Sequence, residues 1–274
     1  MKDRNAERLN FQPPSTNQQS YTPPTDIVSL PSGGKFYPEG HPLHNVESVE
    51  VYYMATKEED ILVNSSYNKE GVVYDKLIES LLVNKFIDVG SLLTGDKNAV
   101  LVSARKNAYG PEYGIRIACE ECLTDNTINV NIAEVENKQN DYSGVEFTSR
   151  GTFLLKAPAS NAELELKLLT GKDEKEIEVQ ARQRAKHNLP EEPITGRYKQ
   201  MIAAVNGESN PIHVKNFIDN MPIADSRLLR KVYTTLMPDI DLNYEFACKD
   251  CAHTNKGGVP FTGDFFWPDE QIYG

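Results

Sequence analysis

Apolar positions along the chain fall into three textures: helical stripes, short alternating runs, and a polar opening stretch with neither. The clearest stripe lies in residues 72–85, where Val73, Leu77, Ile78, Leu81 and Leu82 recur at the spacing of one helix face. A longer helix is predicted over 95–109, carrying Val100, Leu101 and Ala104. It stops at Gly110-Pro111, where glycine ends a helix and proline cannot continue one. Upstream, Val46, Val49, Val51 and Tyr53 with polar residues between them approximate a strand. Thr56 and Glu59 then read as the capping box of a short helix reaching Ile61-Leu62.

The middle of the chain changes period. Strand-like stretches are predicted at 113–119, 127–135, 145–155 and 164–169, the second on Ile128, Val130 and Ile132, the last with Leu164, Leu166 and Leu168 on one face. Residues 173–187 are strongly charged, with Ile177 and Val179 as the main apolar positions, which suits an exposed helix. Further helices are expected at 197–205, 214–219 and 225–237, the last striped by Leu228, Leu229, Val232, Tyr233 and Leu236 and closed by Pro238. β character returns at 242–247 and 259–266, and no repeat of solenoid type is present.

The fold class that follows is α+β: a helical block plus a β layer with a split four-cysteine, zinc-ribbon-like module and an inserted charged helical region. The expected divisions are a Pro-rich flexible arm over 1–45, a helical block over 46–112 and a β-rich region with a first knuckle over 113–170. An inserted helical region over 171–238 and a β hairpin with a second knuckle over 239–274 complete the chain. The arm is rich in Pro, Gln, Asn, Ser and Thr. Near its end Ile27, Val28, Leu30, Phe36 and Tyr37 offer apolar anchors, so residues from about 22 to 38 are expected to bind a neighbouring protein in extended form; the plainer alternative is a floppy terminus.

Composition narrows the function classes. The 274 residues carry 40 acidic and 29 basic side chains, a formal charge of −11, which disfavours a phosphate-tracking surface over the whole protein. Local cationic candidates are Lys97, Arg105, Lys106 and Arg116, then Arg182, Arg184, Lys186 and His187, but acids dilute them and no aromatic residues are interleaved. Apolar stretches such as 81–83 and 100–102 are far shorter than a membrane span requires, and the opening MKDRNAERLN lacks the apolar segment of a secretory signal. The expected compartment is therefore a reducing cytoplasm.

That compartment governs how the cysteines are read. All four lie in two Cys-x-x-Cys pairs, Cys119-Glu-Glu-Cys122 and Cys248-Lys-Asp-Cys251, each between strand-like segments. A two-residue gap lets both thiolates of one turn face one ion, and two such turns supply a tetrahedral zinc site. With four protein thiolates no coordination position is left for water, so the predicted Zn²⁺ holds structure and does no catalysis. The 125 residues between Cys122 and Cys248 make this an unusually split ribbon. A thioredoxin-like redox pair competes, but neither pair opens a helix after an apolar strand; disulfides are disfavoured by compartment, and unliganded packing thiols remain as an alternative. His253 is a conceivable substitute ligand and more readily a surface neighbour.

Enzymatic signatures are missing. Ser32-Gly33-Gly34-Lys35 lacks the upstream glycine of a phosphate loop and is followed by Phe36, so it is read as a turn. The histidines at 41, 44, 187, 213 and 253 have no evident catalytic partners, and no enzyme is predicted.

Three segments then stand out together: Leu30-Pro31-Ser32-Gly33-Gly34-Lys35-Phe36-Tyr37-Pro38, Ala55-Thr56-Lys57-Glu58-Glu59-Asp60-Ile61-Leu62, and Leu93-Thr94-Gly95-Asp96-Lys97 leading to Ala104-Arg105-Lys106-Asn107-Ala108-Tyr109-Gly110. In order and spacing they resemble a family of baseplate proteins of T4-like bacteriophages. The resemblance covers roughly residues 30–135, is reinforced by the Cys248 pair, and says little about 142–237. It implies a structural, virion-assembly protein of the contractile tail's baseplate hub, made in the host cytoplasm and located there or in the virion tail baseplate. Such a protein acts by binding other phage tail or hub proteins, with a homo-oligomer as a further option and no catalysis. The alternative is a zinc-ribbon, nucleic-acid-associated factor of the same phage.

Overall fold

The computed structural model describes residues 23–259 and 263–266, so residues 1–22 of the expected arm lie outside the described residues. Strand β1 (Thr25–Ser29) pairs antiparallel with β2 (Ser48–Tyr52), with Val28 opposite Val49. Three helices follow, α1 (Thr56–Leu62), α2 (Ser65–Glu70) and α3 (Val73–Leu81), and then the long α4 (Thr94–Tyr109). Hairpin β3 (Glu112–Ala118) and β4 (Asp125–Asn131) leads to β5 (Phe153–Lys156) and β6 (Glu163–Leu166). The rest comprises α5 (Gly171–Lys186), α6 (Thr195–Met201), β7 (Ile202–Val205), α7 (Pro211–Asn220), α8 (Ile223–Leu236), and a hairpin of β8 (Asn243–Ala247) and β9 (Thr254–Gly258). The α+β class holds, with the strands divided among several small antiparallel sheets: β1-β2, β3-β4, β5-β6-β7 and β8-β9.

Helix α4 organises the core. Ala99 to Arg105 are buried without interruption, because the helix is covered on nearly all sides; this is why its sequence shows no clean one-sided stripe. Its first turn presses against the 238–239 segment, where a Cβ on Gly95 would stand 2.1 Å from the Pro238 carbonyl oxygen. Helix α3 buries Leu77, Ile78 and Leu81 as its stripe requires. The box before α1 closes one residue earlier than the sequence suggests: Ala55 is the N-cap and its N–H donates to Glu58 Oε2 at 3.0 Å.

The largest departure concerns the arm. From Thr25 onward it belongs to the body, and four of its five supposed anchors, Val28, Leu30, Phe36 and Tyr37, are buried in the chain's own core while Ile27 is exposed. The Ser32-Gly33-Gly34-Lys35 turn brings this about. Gly34 has φ +75°, and a Cβ there would meet the Val46 nitrogen at 2.3 Å, so only glycine fits. Ser32 N–H and Oγ and the Tyr37 hydroxyl then donate to Asp96 at 3.0, 2.7 and 2.6 Å. Tyr37 Oη in turn accepts the Leu93 N–H at 3.2 Å. Burial pushes the Asp96 carboxyl above its ordinary range.

Two further differences are local. The stretch expected to be an inserted helical region contributes β7 to the sheet with β5 and β6. The second strand of the last hairpin begins at Thr254 as β9 instead of at 259, and residues 263–266 form a 3-10 turn. That turn is tied to α4 by Arg105. Its guanidinium donates to the carbonyls of Phe265, Gly110 and Glu112 at 2.8, 2.9 and 3.2 Å.

Candidate metal centre

Each cysteine pair occupies the tip of a β hairpin. The last paired residues are Ala118 and Asp125 in one hairpin and Ala247 and Thr254 in the other, leaving loops 119–124 and 248–253. Both loops are wound the same way. The Cys119 N–H donates to the Thr124 carbonyl (2.9 Å) and the Leu123 N–H to that of Cys119 (2.9 Å); the Cys248 N–H donates to the His253 carbonyl (2.8 Å) and the Ala252 N–H to that of Cys248 (3.0 Å). The residue after each second cysteine is left-handed, Leu123 at φ 61° and Ala252 at φ 57°. Side chains other than glycine rarely adopt that conformation, and here both hairpins use it to curl the loop over the sulfurs.

The fold brings all four predicted residues together. Cys119, Cys122, Cys248 and Cys251 place their Sγ atoms within 4.8 Å of one another, the Cys119–Cys251 pair at 3.7 Å and the Cys122–Cys248 pair at 3.6 Å. A tetrahedron of sulfurs about 2.3 Å from a central ion has edges near 3.8 Å, so the donor set and its spacing fit a four-thiolate metal site. The separations far exceed a disulfide bond of about 2.05 Å, and all four thiols are free. Cys119 and Cys248 are buried, Cys122 and Cys251 exposed, and His253 lies exposed outside the cluster.

Electrostatics point the same way. The Cys122 N–H, and with it that of Glu121, holds the Cys119 thiol below its ordinary range. The N–H groups of Cys251 and Asp250 bring Cys248 down to about 6. Cys251 feels the His253 N–H in the same sense, but the crowding of the Cys122, Cys119 and Cys248 sulfurs together with burial pushes it up to about 12. Four thiolates cannot be packed this closely without a compensating cation, which is the condition a divalent ion meets.

Two asparagines complete the arrangement. Asn126 and Asn255, four residues beyond Cys122 and Cys251, are both buried. Asn126 Nδ2 donates to the Thr124 carbonyl of its own loop (2.8 Å) and contacts Cys248 Sγ of the other hairpin (3.6 Å), while its Oδ1 accepts the Lys249 N–H (3.0 Å). Asn255 Nδ2 donates to the His253 carbonyl (3.0 Å) and contacts Cys119 Sγ (3.5 Å), while its Oδ1 accepts the Glu120 N–H (2.9 Å). The two hairpins are thus related by an approximate two-fold. Sequence reading missed these residues, though a signal was present: Ala-Cys-x-acid-Cys-x-x-x-Asn occurs at 118–126 and again at 247–255.

Several of the cationic candidates are engaged within the described residues, Lys106 among them with Asp26. Arg105 is buried on carbonyl groups, Lys97 pairs with Asp75, Arg182 with Glu178, and Arg184 with Glu192. Among the described residues no helix is long and apolar enough to cross a membrane. In a cleft lined by Lys35, Glu39, His44 and Tyr142, His44 is engaged with the Tyr37 carbonyl at 2.7 Å and Lys35 lies over the Tyr142 ring.

In comparison with known families, the model of the family described as T4 bacteriophage base plate protein matches residues 23–267. No curated protein and no solved structure matches the chain.

Proposed function

The chain belongs to the T4 bacteriophage base plate protein family, and from that premise we propose that it is a non-enzymatic structural or assembly component of the contractile tail's baseplate hub. It acts by binding other tail proteins and carries one structural Zn²⁺ held by Cys119, Cys122, Cys248 and Cys251. The observation that carries the metal reading is the convergence of four free thiols, from pairs far apart in sequence, at tetrahedral spacing. When bound, the ion supplies positive charge that fixes all four cysteines as thiolates; the two loops orient the sulfurs and their N–H groups stabilise the charge. The binding role draws support from the family match across most of the chain.

One experiment tests both parts: capture of the tagged full chain from infected cells, with protein, nucleic-acid and metal analysis of the same eluate. Co-purifying hub proteins and about one zinc per chain are expected. Nucleic acid without tail proteins overturns the assembly role, and zinc near zero in chelator-free buffer overturns the metal reading.

A further inference from the structure

We infer that Asn126 and Asn255 are positioning residues of the metal centre, each supporting the thiolate and backbone of the opposite hairpin; this rests on the zinc reading above. The geometry accounts for both Nδ2 hydrogens and one Oδ1 lone pair of each amide. One Nδ2 hydrogen of each is spent on a carbonyl of its own loop, which fixes the side chain's orientation. The other faces a sulfur across the two-fold, Asn126 to Cys248 and Asn255 to Cys119. Each Oδ1 accepts the N–H that follows that same cysteine, at Lys249 and at Glu120.

A turn-forming asparagine needs only the first of these bonds. The second and third matter because they are exchanged between hairpins, so neither loop completes its own sulfur environment. The sulfurs so served, those of Cys119 and Cys248, are the two buried ligands, where a thiolate has least help from water. The amide N–H withdraws charge from the sulfur, and the amide oxygen fixes the backbone that carries it. Outer partners of this kind orient ligands and set how firmly a metal is held. The exchanged pair also ties one hairpin to the other, so the four sulfurs are held near tetrahedral spacing before an ion arrives.

The test uses the full chain loaded with Zn²⁺, Co²⁺ or ¹¹³Cd²⁺. Asn126→Asp and Asn255→Asp place an oxygen where each Nδ2 donor stood, facing the sulfur. Zinc release to a chromophoric chelator is expected to quicken about tenfold or more. The sulfur-to-cobalt charge-transfer band is expected to move to longer wavelength, because a thiolate that loses a hydrogen bond holds its electrons less tightly. A purely architectural role leaves that band in place. The wild-type cadmium form gives a second measurement that needs no variant to fold: scalar coupling from ¹¹³Cd to the side-chain amide protons of Asn126 and Asn255. Absence of that coupling, or release rates and band positions unchanged in the variants, overturns the inference while leaving the metal reading intact. A wild-type chain that takes up none of the three ions overturns the metal reading and the inference with it.

Discussion

Ser32 and Tyr37 meet Asp96 with all three residues buried beside α4, whereas Cys119 and Cys122 meet Cys248 and Cys251 at two hairpin tips where one cysteine of each pair is exposed. Both junctions join segments distant in sequence, and both bury polar atoms. The first is completed by the chain alone: three donors converge on one carboxyl group and the surrounding side chains exclude water. The second has paired strands whose residues mostly alternate between exposed and half-buried, with Tyr113 and Ile115 of β3 buried, and under the proposed metal reading the sulfurs close it. A junction closed by its own hydrogen bonds needs no further group; one where four thiols converge is where a bound cation would act.

The strongest way to break this contrast is to remove the proposed ion. With free metal held a thousandfold above the dissociation constant, a bound ion contributes about 4 kcal/mol to the folded form, and stripping it cancels that amount. Chelation, or joint replacement of Cys119 and Cys248 by Ser, is expected to abolish amide-exchange protection in β3, β4, β8 and β9 while protection in α4 persists. Equal loss in both regions shows instead that the two junctions are one cooperative unit.

Substitution of the acid sharpens the other side. Asp96→Ala strands the Ser32 N–H and two hydroxyl groups in the core, at a cost of about 3 kcal/mol or more by chemical denaturation. Asp96→Asn is expected to cost markedly less, because burial already favours the neutral acid and the amide keeps one acceptor oxygen while the hydroxyls can rotate. Metal content is expected to be normal in both variants. An Asn variant as unstable as Ala shows that charge, not hydrogen-bond capacity, holds the junction.

The smallest effect is a pH dependence. His41 stacks on Tyr37 with ring centroids 4.6 Å apart, and its Nδ1 accepts the Leu43 N–H while Nε2 faces Ser91 Oγ. Burial draws its pKa below the ordinary value, against the Asp88 charge that raises it. A histidine whose folded pKa is depressed contributes stability that is complete above its unfolded pKa, about 6.5, and is lost as pH falls through the folded value. A decline of a fraction of a kcal/mol is expected below that point and is expected to be absent in His41→Gln. Identical pH profiles remove His41 from the account.

These contrasts also explain what could be read from the sequence. The α3 stripe, the long α4 and the cysteine pairs were legible because each rests on local spacing, and the thiol chemistry is specific enough to survive a 125-residue gap. Strand β1 was not, since Thr-Asp-Ile-Val-Ser among prolines has no alternation of its own and becomes a strand by pairing with β2. Strand β9, Thr-Asn-Lys-Gly-Gly, has almost no strand propensity and is imposed by its hairpin register. Strand β7 lies directly against the end of α6, where a helical reading ran on to Val205. Asn126 and Asn255 needed comparison of the two hairpins with each other, not a scan for ligands.

The split of the cysteine pairs sets a clock. A ribosome adding about 5–20 residues per second takes roughly 6–25 s to travel from the first pair to the second. Throughout that interval Cys119 and Cys122 are a half-built site, able to grip an ion weakly or to oxidise, and the four-fold grip arises only after the hairpin of β8 and β9 emerges. An ion gripped by all four sulfurs would therefore require that the chain has been made at least through Cys251 and that both hairpins have folded.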